Sequence, residues 1–126
     1  MASQDSALVV LVVEDEWLIR AEIAREFESA GWRVLEAADG VSALSILERT
    51  GHIDALVTDV RLPGSMDGWD LAKRFRSIDP ALPVMFASAN VVDEDRRVPN
   101  SHFFSKPCRP AEIVSACKRG ISPTEA

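Results

Sequence analysis

The stretch ALVVLVVEDE, residues 7–16, decides the fold. Its seven apolar residues, Ala7 to Val13, show no alternation, the pattern of a parallel strand covered by helices on both faces. It is expected to be the central strand of a sheet. Outward from it, ALVT (55–58), VMFA (84–87), HFFS (102–105) and a weaker WRVLEA (32–37) repeat the apolar signal, with helix-patterned stretches between them. Strands alternating with helices imply a parallel sheet.

Between the first two runs, Leu18, Ile19, Ile23 and Phe27 recur at near-helical spacing, and Gly31 follows where a left-handed cap is wanted, so residues 16–30 are expected to be a helix. Asp39 offers an N-cap to a second helix carrying Val41, Leu44 and Leu47 on one face and ending near Gly51. Asp67 does the same for a third helix with Trp69, Leu71, Ala72 and Phe75, closed off by Pro80 and Pro83. Pro110 stands as the first residue of a last helix whose Ile113, Val114 and Cys117 point inward. Ser88 to Ser101 differs: Val91 and Val92 are β-branched and Pro99 bars continuation, so at most about two helical turns and higher mobility than in the other crossovers are expected.

At 126 residues there is room for one domain, expected over residues 7–120 between polar tails at 1–6 and 121–126, with no output domain attached. No apolar run is long enough to span a membrane, and the chain is expected to be cytoplasmic. A net charge of −6 argues against direct binding to nucleic acid, which rests on Lys and Arg neutralising phosphates. Cys108 and Cys117 match no zinc or redox spacing and read as reduced thiols. His52 and His102 read as ordinary polar residues, and Trp17 as packing with some prospect of reporting on metal.

In a doubly wound sheet the ligand belongs at the carboxyl ends of the strands. The residues there are Glu14, Asp15 and Glu16 after the first strand, Asp59 after the third, Ser88 after the fourth and Lys106 after the fifth. Glu16 reads best as a favourable charge near a helix start. Glu14, Asp15 and Asp59 would repel one another unless a cation sat among them, and a hard divalent ion such as magnesium suits an all-carboxylate set. Lys106 is either a surface lysine or a compact cation bridging a carboxylate at rest and a phosphoryl oxygen after modification.

Taken together, VVEDE (12–16), VTDVRLPG (57–64), FASA (86–89) and FFSKP (103–107) resemble the receiver domain of two-component response regulators, over residues 7 to about 120. The resemblance implies a flavodoxin-like five-stranded α/β sheet, order 2-1-3-4-5, with the fourth helix short or irregular. It implies that Asp59 accepts a phosphoryl group from a histidine kinase or histidine phosphotransfer protein. Magnesium (Mg2+) would be bound by Asp15, Asp59 and the backbone carbonyl of Arg61, with Glu14 acting through a water. Ser88 and Lys106 match the phosphate-contacting hydroxyl and ammonium, and Ser88 and Phe103 the switch pair. On this reading the chain is a stand-alone receiver and no enzyme in the ordinary sense, assisting its own phosphorylation and dephosphorylation and acting on an unidentified downstream protein. Glu14 stands where the family often has Asp, Phe103 where Tyr is frequent, and Arg61 and Asn90 flank the acceptor. A flavodoxin-like electron carrier is disfavoured because Glu14-Asp15-Glu16 would repel a flavin phosphate. A haloacid-dehalogenase-type phosphatase would need an Asp where Arg61 stands, and a degenerate binding module would lack the acceptor or the lysine.

Overall fold

The computed structural model of the chain describes residues 7–121; the expected tails, 1–6 and 121–126, lie outside them apart from Ile121. Five strands and four helices follow in the order β1 (Val9–Val13), α1 (Trp17–Ser29), β2 (Arg33–Ala37), α2 (Gly40–Thr50), β3 (Ala55–Thr58), α3 (Gly68–Ile78), β4 (Val84–Ser88), β5 (His102–Ser105) and α4 (Pro110–Ile121). All strand pairs are parallel, in the order β2-β1-β3-β4-β5. The expected fold class is therefore the one found. One detail is corrected: β1 is an interior strand, but β3 occupies the middle, because the winding reverses between them.

Strand residues alternate between faces, and the sheet carries a core on each. Leu11, Val13, Leu56, Val84 and Phe86 pack with Ala43 of α2 and Trp69, Leu71, Ala72 and Phe75 of α3. Val10, Val12, Ala55, Val57, Met85 and Ala87 pack with Ile23 and Phe27 of α1 and Ile113, Val114, Ala116 and Cys117 of α4. The burial of β3 and β4 throughout, and of β1 from Val10 on, follows from coverage on both sides.

The helix boundaries obey the expected caps. Asp39 accepts from the Ser42 N–H at 2.8 Å, and α2 ends on Gly51 at φ +82°, a left-handed turn that glycine adopts without strain. Asp67 caps α3 in a reciprocal box with Asp70. Three apolar residues do not behave as expected: Leu18 (58% exposed), Val41 (65%) and Trp17 (67%). Each belongs to the first turn of its helix, at the sheet's carboxyl edge, where the packed layers end. Trp17 is therefore not a packing residue.

No helix forms between β4 and β5; residues 89–101 run as turns, including bonds from the Arg96 and Arg97 N–H groups to the Asp93 carbonyl. This agrees with the limit of two helical turns. Among the described residues no helix is long and apolar enough to cross a membrane.

Candidate functional site

The sheet ladder carries the acidic residues to one place. The Glu14 N–H donates to the Ala37 carbonyl at 3.0 Å and the Asp59 N–H to the Val13 carbonyl at 3.0 Å, so the chain just past β1 and the chain just past β3 leave the sheet side by side. One oxygen from each of Glu14, Asp15 and Asp59 lies within 4.8 Å of the others. From β5, the Lys106 N–H donates to the Ser88 carbonyl at 2.9 Å, which anchors the lysine beside the end of β4. Its ammonium then reaches across the sheet edge, donating to Glu14 Oε1 at 2.5 Å and Asp59 Oδ2 at 3.0 Å. Lys106 thus holds two carboxylates at once, Glu14 and Asp59.

Glu14 is buried and Asp59 partly so, whereas Asp15 is exposed. Burial pushes the Glu14 carboxyl above its ordinary range, against the opposing pull of the Lys106 ammonium and the Glu16 N–H. Burial acts to lower the Lys106 pKa, but its hydrogen bonds to Glu14 and Asp59 and their charges outweigh it, so the ammonium is held more firmly than usual. Three carboxylates against one ammonium leave two negative charges, the deficit one divalent cation neutralises. An oxygen-only donor set, partly open to solvent through Asp15, fits magnesium, which keeps several waters.

The remaining oxygens of Glu14 and Asp59 are already held. Asp59 Oδ1 accepts from the N–H groups of Val60 at 2.6 Å and Arg61 at 3.3 Å, so the contact of the Arg61 backbone with the acceptor is made by its N–H. Glu14 Oε2 accepts from the Glu16 N–H at 3.1 Å; Glu16 is the N-cap residue of α1, but its side chain makes no capping bond. Ser88 is fully buried, its hydroxyl donating to Asn90 Oδ1 at 3.2 Å and accepting from the Asn90 N–H at 3.1 Å. Phe103 is not in the polar cluster: it stacks on Trp69 with ring centroids 6.1 Å apart and lies 6.4 Å from Phe86. His52 and His102 are exposed and precede or begin their strands, at the opposite edge of the sheet. Cys117 is buried, its thiol pushed up to about 12 by burial, and is unreactive.

Two residues that sequence reasoning missed shape this site. Gly68, the first residue of α3, donates its N–H to the Val60 carbonyl at 2.6 Å, and a Cβ there would fall 2.0 Å from the Asp59 carbonyl oxygen. Only glycine lets the helix start rest on the backbone of the acceptor. The signal was present: glycine is a poor first residue for a helix unless something approaches it closely. The second is Arg20, whose guanidinium donates to the Glu14 carbonyl at 2.7 Å and to Glu36 Oε1 at 3.0 Å.

Comparison with known proteins agrees with this geometry. The family described as the response regulator receiver domain matches residues 10–118. Sporulation initiation phosphotransferase F of Bacillus subtilis is 30% identical over 114 residues, covering 87% of this chain and 90% of that protein. The sensor histidine kinase RcsC of Escherichia coli (strain K12) is 36% identical over 95 residues, covering 75% of this chain; those residues are 10% of the kinase's length. A response regulator receiver protein from Sinorhizobium medicae superposes with a TM-score of 0.88 at 28% identity, covering 94% of this chain and 97% of that one.

Proposed function

Since the chain belongs to the response regulator receiver domain family, we propose that Asp59 accepts a phosphoryl group from a histidine kinase or histidine phosphotransfer protein, with magnesium bound at Glu14, Asp15 and Asp59. The observation that carries this is the Lys106 ammonium bonded to both Asp59 and Glu14 at the carboxyl edge of the sheet. Held by these carboxylates, with the Arg61 backbone carbonyl as a further ligand, magnesium would supply charge neutralisation for the phosphoryl oxygens.

The work of the chain itself is positioning. An Asp59 oxygen forms the new bond to phosphorus as the donor's bond to phosphorus breaks, and the donor departs with that electron pair. The Val60 and Arg61 N–H groups hold the Oδ1 oxygen of the carboxylate, and Lys106 follows the charge from carboxylate to phosphoryl oxygen. Ser88 leaves Asn90 to donate to the phosphoryl group, exchanging neutral hydrogen bonds worth about 0.5–1.5 kcal/mol each for a stronger charge-assisted one. That displacement loosens the start of the β4–β5 crossover, and Phe103 repacks against it, biasing a protein-binding face. The chain is a phosphoacceptor that assists its own phosphorylation and dephosphorylation, and free thiols at Cys108 and Cys117 suit a cytoplasmic setting. Passing the group onward is the second reading, favoured by the likeness to a protein named a phosphotransferase.

Incubation with a small acyl phosphate and magnesium tests the proposal by intact mass. One phosphoryl adduct is expected, absent in Asp59→Asn and absent when the metal is chelated. Labelling of Asp59→Asn at the wild-type level would refute it.

A further inference from the structure

Arg20 has no part in the reading above, yet it touches the acidic loop more directly than any other cation except Lys106 among the described residues. It lies in the first turn of α1, its side chain 21% exposed, and its backbone N–H closes that turn by donating to the Glu16 carbonyl at 3.0 Å. The guanidinium does not pair with the clustered carboxylates. One arm donates to the neutral Glu14 carbonyl and the other holds Glu36 of β2. Glu36 precedes Ala37, whose carbonyl receives the Glu14 N–H. The Glu14 backbone is therefore gripped from both ends: by β2 directly at its N–H, and by β2 through Arg20 at its carbonyl.

That carbonyl belongs to the peptide linking Glu14 to Asp15. Fixing its oxygen fixes the plane of the peptide, and with it the direction in which the Asp15 side chain leaves the backbone. Asp15 needs such help, being exposed and without a hydrogen-bonded side-chain partner among the described residues. Arginine suits the task because its planar fork serves a carbonyl and a carboxylate at once, which an ammonium does less well. An exposed Arg–Glu pair alone would add little.

We propose that Arg20 is a positioning residue for the metal site, holding the Glu14–Asp15 peptide so that the Asp15 carboxylate shares a cation with Glu14 and Asp59. The proposal rests on the reading that this cluster takes magnesium. It makes a prediction of definite sign. A cation that merely stood near the site would repel magnesium, so its removal would tighten binding. A residue that aims a ligand does the opposite when removed.

The test is a magnesium titration of the full chain, followed by Trp17 emission and by competition with Mn2+ counted by electron paramagnetic resonance, with melting recorded for each variant. Arg20→Ala is expected to weaken magnesium roughly tenfold, as losing a partner that orients a metal ligand does. Arg20→Lys should recover part of the loss, and Glu36→Gln should stay within about twofold of wild type because an amide oxygen still accepts the bond. Equal or tighter binding in a folded Arg20→Ala overturns the proposal. If the alanine variant does not fold, Arg20→Lys decides: reduced affinity with near-native melting supports the role, and unchanged affinity refutes it. A wild-type chain that binds neither ion would overturn the magnesium reading itself, a result distinct from any difference among the variants.

Discussion

The crossovers from β3 to β4 and from β4 to β5 leave the same edge of the sheet and are built on different principles. The first is a helix that satisfies its own backbone: Asp67 accepts from the Asp70 N–H at 2.9 Å, and Asp70 accepts from the Asp67 N–H in return. The second has no helical ladder and takes its order from arginines. Arg76 of α3 donates to the carbonyls of Leu82, Pro99 and Asn100. Arg97 holds the hydroxyl and carbonyl of Ser101. Arg96 crosses to α3, donating to both Asp67 oxygens at 2.9 and 3.2 Å and to Asp70 at 2.8 Å. A helix needs only its own sequence; the loop needs the helix. The capping residues of α3 serve both, so the order of the irregular crossover is borrowed from the regular one.

The largest expected effect strikes the helix where it meets the acceptor. In Gly68→Ala the new methyl meets the Asp59 carbonyl and Val60 Cα, backbone atoms that cannot swing aside. We expect a loss at the upper end of the roughly 1–3 kcal/mol that overpacking costs, read by denaturant unfolding, together with impaired acyl-phosphate labelling. Arg76→Ala comes next. It strips three carbonyls of a charged donor, and a loss of about 1–3 kcal/mol is expected, with hydrogen exchange quickening at residues 98–101 while α3 keeps its protection.

Asp67→Ala severs the link between the crossovers, removing a helix cap worth about 1 kcal/mol and the Arg96 anchor. Burial works to raise the Asp67 carboxyl, but the Asp70 N–H and Arg96 outweigh it and leave its pKa below the ordinary 3.8. A carboxyl depressed in the folded state adds stability above its unfolded pKa and loses it as pH falls through the folded one. The difference between wild type and Asp67→Ala is therefore expected to be full near neutrality and to shrink below about pH 4, which urea melts at a series of pH values would show. Arg96→Ala should be mildest in stability, about 1 kcal/mol for a partly exposed ion pair. Its signature is local: faster exchange from Val91 to Arg97. Exchange in that variant equal to wild type would break the comparison, because the loop would then owe nothing to α3.

What could be read in advance divides along the same line. Strand order, the Asp39 and Asp67 caps, and the gathering of Glu14, Asp15, Asp59, Ser88 and Lys106 at one edge follow from short runs and local turn chemistry. Residues 89–101 were legible as non-helical because Val91, Val92 and Pro99 speak against a helix locally. Their ties were not, since Arg76, Arg96 and Arg97 read only as charge and their partners lie in other elements or across turns. The expectation of high mobility ignored those ties, and hydrogen exchange is the measurement that weighs them. Gly68 and Arg20 escaped for a related reason: what each does is set by a backbone atom brought near by the tertiary fold.

The aromatic group of Trp69, Phe86 and Phe103 has a thermodynamic consequence. Phe103 carries no hydroxyl, so a change in its packing would exchange apolar surface and no hydrogen bond. Apolar surface marks itself in heat capacity, and its contribution near room temperature is almost wholly entropic. Coupling between Asp59 and a partner that ran through this ring would therefore bend with temperature, weakening on cooling. Calorimetry of partner binding across a range of temperatures should find a heat-capacity change that depends on phosphorylation, and Phe103→Ala should flatten it.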